Sequence, residues 1–217
     1  MFELVQKSGI FGFLIVLCSI FAVTIIVERL ITFRKVRLRD PDLLLKIIEA
    51  LNNNTIEKML PNLEKSNSPI VKIVYEIISR HIVNEHGCCT QSREAIEKTI
   101  NYIGQRELRE LEKYLPTLSS ICQISPLLGL LGTVTGMIKA FMVIQQFGGK
   151  VNAQVLAGGI WEAMLTTAMG LIVAIPSLLA YNYFNSRIDK MVSLMNEIGN
   201  ELIYSLEKAG YFRHKHD

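Results

Sequence analysis

The 217-residue chain is 50% hydrophobic and 20% charged, with a net charge of +3 and a mean hydropathy of +0.30. That combination excludes an evenly mixed soluble domain and requires the apolar residues to be gathered into segments. Basic residues flanking those segments account for the positive excess, so it points to no nucleic-acid partner, and the four cysteines are not spaced as a disulfide framework.

Residues 1–9 read as a short outer N-terminus, followed by a first transmembrane helix over 10–33. Its charge-free core, IFGFLIVLCSIFAVTIIV, is too long for a signal-peptide h-region and reaches Glu28 and Arg29 without an A-x-A-like cleavage site, so it reads as a retained span. Residues 34–113 form a helical region. Asp40 followed by Pro41 is an N-cap and first-turn signal ahead of Leu43, Leu44, Ile47, Ile48 and Leu51. Ser68 and Pro69 repeat it ahead of Ile70, Ile73, Val74, Ile77 and Ile78. No alternating run supports a strand. His81, His86, Cys88 and Cys89 fall together, but adjacent cysteines lack the C-x2-C spacing of zinc sites, so the cluster reads as a solvated loop and no metal is expected.

From about Gln91 the helical pattern continues to Phe147. An unbroken helix of about 57 residues would be roughly 85 Å long, with Pro116 and Pro126 bending it. Its second half, 114–147, is the second span. Residues 148–159 form an outer loop, 160–186 the third span, and 187–217 a C-terminal helix and tail. In that last helix Ile188, Met191, Val192, Met195, Ile198, Leu202 and Leu206 make one stripe that closes at Gly210. Arg29, Arg34, Lys35, Arg37, Arg39, Arg106, Arg109, Lys113, Arg187 and Lys190 lie on one side of the spans, against Lys7, Lys150 and, near the edge, Lys139 on the other. The positive-inside rule then puts the N-terminus outside, and residues 34–113 and the C-terminus in the cytoplasm. The fold class is an all-α membrane protein with three transmembrane helices and long cytoplasmic helical extensions. Cys18 and Cys122 fall in spans and Cys88 and Cys89 in the reducing cytoplasm, so no disulfide is expected.

Small residues recur at helical spacing in both later spans: Gly129, Thr133, Gly136 and Ala140 in the second, and Ala163, Thr167, Gly170, Ala174 and Ser177 in the third. Helices in lipid associate by close approach through such residues, so these stripes face protein. Their threonines either bond their own i−4 carbonyls or line a path. Glu162 and Thr166 are four apart and share a face. A carboxylate in a span normally faces water, a partner or a relay, although Glu162 could also cap the outer end of its helix. Lys139 either snorkels to the outer interface or pairs with a carboxylate. No nucleophile and base pair, phosphate loop or cofactor-binding motif marks an enzyme.

PLLGLLGTVTGMIKAF (126–141) and GGIWEAMLTTAMGLIVAIPSLLAYNYF (158–184) resemble the MotA/TolQ/ExbB proton-channel family, in its ExbB and TolQ branch. That branch carries a GLLGTV-type turn in its second span and a GI-x-EAL-x-TA-x-GL-x-A-x-P-x-x-x-x-YN pattern in its third. The resemblance implies a homopentamer in a bacterial inner membrane around single-span ExbD- or TolR-type partners. Proton flow there passes energy to a TonB- or TolA-like protein. It places the pore glutamate on Glu162 and the pathway threonines on Thr133 and Thr167. Thr166 stands where the resemblance implies alanine in many relatives, and Lys139 where it implies a small or polar residue. An ExbB-like role is favoured. A TolQ-like subunit of the Tol-Pal system and a non-conducting membrane scaffold are the alternatives; a flagellar stator would have four spans.

Overall fold

A computed structural model of the chain describes residues 9–35, 69–79, 93–146 and 153–208. Five helices form, with no strand among the described residues: α1 (Gly9–Lys35), α2 (Pro69–Ile78), α3 (Arg93–Glu112), α4 (Leu115–Gln146) and α5 (Ala153–Lys208). The helix expected after Asp40, the cluster of His81, His86, Cys88 and Cys89, and the stop signals Gly148 and Gly210 lie outside the described residues. Residues 1–30 and 114–185 make one compact unit, and residues 31–113 and 186–217 a second.

Three helical stretches are long and apolar enough to cross a membrane: Ile10–Arg34, Arg93–Gln146 and Leu156–Lys208. Within them α1 and α4 are apolar on every side of the helix, which in a short chain without a large core means contact with hydrocarbon. Accordingly Ile20 is 63% exposed and Ile172 70%, and Phe13, Leu127 and Leu179 also point outward.

In the first unit, α1 turns Ile15, Ala22, Ile25 and Arg29 inward, a stripe at intervals of seven, three and four. Arg29 is a finding that charge counting missed. It reads as a topogenic cation, yet it is only 3% exposed. Its guanidinium donates two hydrogen bonds to Glu28, through Nε at 2.5 Å and a terminal nitrogen at 2.9 Å. It also lies 5.4 Å from the centroid of the Tyr114 ring. A buried cation must be paired, and here a carboxylate and an aromatic face both do so.

The continuous helix expected from Gln91 to Phe147 is instead two helices, because Tyr114 adopts a left-handed backbone with φ of 67°. For a bulky residue that conformation costs on the order of 1–2 kcal/mol. The break puts Pro116 in the first turn of α4, where its missing N–H would have had no intrahelical partner anyway. The turn closes with Leu118 N donating to Tyr114 O at 3.0 Å. Pro126 and Pro176 lie inside α4 and α5, which continue through them.

α4 and α5 run antiparallel along facing stripes. Leu118, Cys122, Ser125, Gly129 and Gly132 are buried on α4, and Ala163, Thr166, Gly170, Ala174 and Ser177 on α5. A methyl group added to Gly136 would lie 2.8 Å from Ala163 Cβ, one on Gly129 would lie 2.9 Å from Thr167 Cα, and one on Gly170 would lie 2.5 Å from Ser125 O. The pairs run 136 with 163, 129 with 167 and 125 with 170, so the helices touch backbone to backbone for several turns.

Ser125 Oγ is fully buried at this seam without a hydrogen-bond partner among the described residues. Removing an unbonded buried hydroxyl while keeping the carbon frame is nearly neutral or stabilising. Ser125→Ala is therefore expected to keep or raise the melting temperature of the detergent-purified protein. A drop of several degrees would mean that the hydroxyl is bonded.

The second unit is a small amphipathic bundle. α2 begins at Pro69, as the Ser68 and Pro69 signal predicts, and buries Val71, Val74 and Ile77. Its inward face thus includes Val71 together with the expected Val74 and Ile77. α3 buries Ile96, Ile103 and Leu111, and the last part of α5 buries the expected stripe apart from Val192, which is half-buried. Lys72 Nζ bonds the nearly buried Glu107 at 3.0 Å, and Arg106 reaches Glu76 at 3.5 Å. Gly104, by contrast, has nothing within 4 Å of where a side-chain carbon would stand. Gly104→Ala is expected to stabilise α3 by about 1 kcal/mol, measurable as a higher unfolding temperature. A lower one would require a close neighbour at that position.

Candidate ion pathway

The C-terminal part of α4 and the N-terminal part of α5 carry two matched rows of residues. On α4, Gly132, Thr135, Gly136, Lys139, Ala140 and Val143 recur at intervals of three, one, three, one and three, which is one helical face. On α5, Leu156, Gly159, Glu162, Ala163 and Thr166 do the same. Between the rows lies a cavity of about 380 Å³, closed on a third side by Ile10 and Phe11 of α1. It holds room for on the order of ten waters. It exists because the wall residues at 132, 136, 140, 159 and 163 are glycine or alanine.

Glu162 and Thr166 both line this cavity. Glu162 is exposed, and among the described residues its carboxylate enters no ion pair. Thr166 is 2% exposed. Its hydroxyl donates to Glu162 O at 3.0 Å, the i−4 bond of its own helix. Its methyl fills the space left by Gly132, where an added side-chain carbon would lie 2.4 Å from Thr166 Cγ2. Thr166 is thus the volume complement of a glycine on the facing helix.

Thr133 and Thr167 are not in the cavity wall. Thr133 is half-buried, and its hydroxyl donates to Leu130 O at 2.7 Å in its own helix. Thr167 donates across the seam to Gly129 O at 2.9 Å. Both occupy the same hydroxyl-rich stretch, but the structure joins only Glu162 and Thr166 at one opening. The expected packing residues Gly129, Ala163, Gly170 and Ala174 are all buried at the seam, and Gly136 meets Ala163 there.

Two wall residues were not named as pathway residues from sequence. Thr135 donates to Leu131 O at 2.8 Å and Gly132 O at 3.1 Å. Its spacing from Gly132, Gly136 and Lys139 was the available signal. Lys139 lines the cavity that Glu162 lines, so it is not only an interfacial lysine, and among the described residues it forms no ion pair. One cation and one anion are therefore the charged groups of the wall among the described residues.

A helical membrane protein with three membrane-capable helices and a carboxylate-lined cavity between two of them is the class that fold and site define. The chain belongs to the MotA/TolQ/ExbB proton channel family, whose sequence profile matches residues 65–197. It is 31% identical over 189 residues to the ExbB-like biopolymer transport protein 3 of Synechocystis sp., covering 86% of each chain. It is 26% identical to the biopolymer transport protein ExbB homolog of Methanothermobacter thermautotrophicus, over 96% of this chain and 70% of that one. With the Tol-Pal system protein TolQ of Haemophilus influenzae it shares 33% identity over 55% of this chain and 52% of the relative.

Proposed function

We propose that this chain is the channel-forming subunit of an ExbB-like, proton-driven motor of the inner membrane. Five copies surround ExbD-type single-span partners, and the complex converts the proton motive force into work on a TonB-type protein. The observation that carries the reading is Glu162. It is an exposed carboxylate, without an ion-pair partner among the described residues, on a small-residue wall between two membrane-capable helices. A charged group in that position is retained for ion traffic and not for packing, because a lipid-facing carboxylate is unfavourable by roughly 2.5–3.5 kcal/mol. Thr166 supplies a hydroxyl in that wall, Thr133 and Thr167 supply hydroxyls in the helix stretch beside it, the N-terminus lies outside and the C-terminus lies in the cytoplasm.

The TolQ-like role in a Tol-Pal system, with TolR- and TolA-type partners, is the second reading, supported by the identity to the Haemophilus TolQ. The same measurement tests both: native mass spectrometry of the detergent-purified complex, with and without a co-expressed single-span partner. Five copies alone, and five with two partner copies, are the expected result. Which partner type is captured separates ExbB-like from TolQ-like function. A monomer or dimer that captures neither sinks the motor and favours a packing-only scaffold.

A further inference from the structure

Among the described residues, the cavity has one charged group from each of two helices and none from the third. Lys139 comes from α4 and Glu162 from α5, while α1 contributes only Ile10 and Phe11. The remaining polar side chains among the described wall residues are Thr135 and Thr166, whose hydroxyl protons are already donated to carbonyls of their own helices. To an entering ion these hydroxyls offer only oxygen lone pairs.

Consider that wall without the lysine. A carboxylate, two hydroxyl oxygens turned outward as acceptors and a water-sized space is an oxygen-only donor set, which suits a hard cation such as sodium. The carboxylate would draw one in to neutralise itself. With Lys139 present, the wall already carries a positive charge in the same small, protein-walled space, where charges interact more strongly than in bulk water. A metal cation must then enter against the ammonium, and the cavity gains no neutrality by taking it. A proton differs, because it arrives along water and is absorbed by the carboxylate as a covalent O–H bond, leaving no separate cation to accommodate.

We propose that Lys139 is the specificity-determining residue of the Glu162 cavity: it supplies the positive charge that a metal ion would otherwise bring, so that the site exchanges protons and excludes sodium. This rests on the ion-motor reading above and adds to it a residue and a selectivity. Lys139 acts here through the electrostatics of the wall and takes no proton itself.

The test uses the full chain with its single-span partner reconstituted in liposomes, with proton uptake followed by an internal pH dye and sodium uptake by 22Na+. The quantity read is the ratio of sodium to proton uptake. In the unaltered complex it should be at background. Lys139→Gln should raise it on the order of tenfold, Lys139→Glu further, and Lys139→Arg should return it to background. A purely structural role for Lys139 would change rates without moving that ratio. Sodium-23 line broadening on the detergent-purified complex gives a second readout that needs no transport, with broadening expected for Lys139→Gln and not for the unaltered protein.

If the unaltered complex takes up protons and the Lys139→Gln ratio and line width stay at background, the lysine proposal fails alone. If the unaltered complex takes up sodium, it fails as well. If the unaltered complex moves neither ion, the motor reading fails and the proposal with it.

Discussion

Glu162→Gln is expected to abolish partner-dependent proton uptake while leaving the oligomer intact. The substitution keeps the shape of the side chain and removes the carboxylate that, alone among the described wall residues, can take up a proton. A positioned proton-transfer group contributes on the order of 10²–10⁴-fold to rate, so uptake should fall by at least about two orders of magnitude. Assembly should survive because Glu162 is exposed and enters no ion pair among the described residues, while its neighbour Ala163, 2% exposed, holds the seam. The driving force acting on such a site is about 2.3 kcal/mol per charge per 100 mV, enough to bias a two-state helix arrangement. Liposome uptake and native mass spectrometry on the same preparation decide the matter. A Glu162→Gln complex that still takes up protons at the original rate would remove Glu162 from the pathway.

Gly170→Val is expected to have the largest effect on the fold. The side-chain carbon it adds would lie 2.5 Å from Ser125 O and 3.3 Å from Gly129 Cα, both backbone atoms of α4. Backbone in the middle of a helix cannot swing aside, so α4 and α5 must separate. Overpacking of a seam typically costs 1–3 kcal/mol or more. Separation would also break the Thr167 to Gly129 hydrogen bond and open the cavity wall above it. Even Gly170→Ala should lower the melting temperature by several degrees. Gly104→Ala serves as the contrast, because no atom stands in its way. Size-exclusion profiles before and after a heat step would report both, and a Gly170→Val protein as stable as the parent would mean the two helices are further apart than described.

Much of this arrangement could be read from residue spacing. Three charge-free apolar runs announced the spans, and glycine, alanine and threonine recurring every three or four residues announced which faces of α4 and α5 meet. Glu162 and Thr166, one turn apart, were legible as sharing a wall. What spacing cannot give is which residue of one stripe sits opposite which residue of the other. The fit of the Thr166 methyl against Gly132, and the meeting of Lys139 with Glu162 at one opening, depend on the register between two helices. The break between α3 and α4 was illegible for another reason. Left-handed positions are usually flagged by glycine or asparagine, and here a tyrosine occupies one, with the buried Arg29 guanidinium against its ring.

The seam also dictates what second-site genetics can repair. Where a glycine faces a side chain, the space is negotiable: Gly132→Ala would collide with the Thr166 methyl at 2.4 Å and its Cβ at 2.9 Å, and Thr166→Gly would remove both atoms. Where a glycine faces backbone, as Gly129 and Gly170 do, no substitution opposite removes the obstructing atom. Revertants of Gly132 variants should therefore include compensating changes at position 166, whereas revertants of Gly129 and Gly170 variants should restore glycine itself. One helix contact thus contains both a tunable and an irreplaceable kind of glycine.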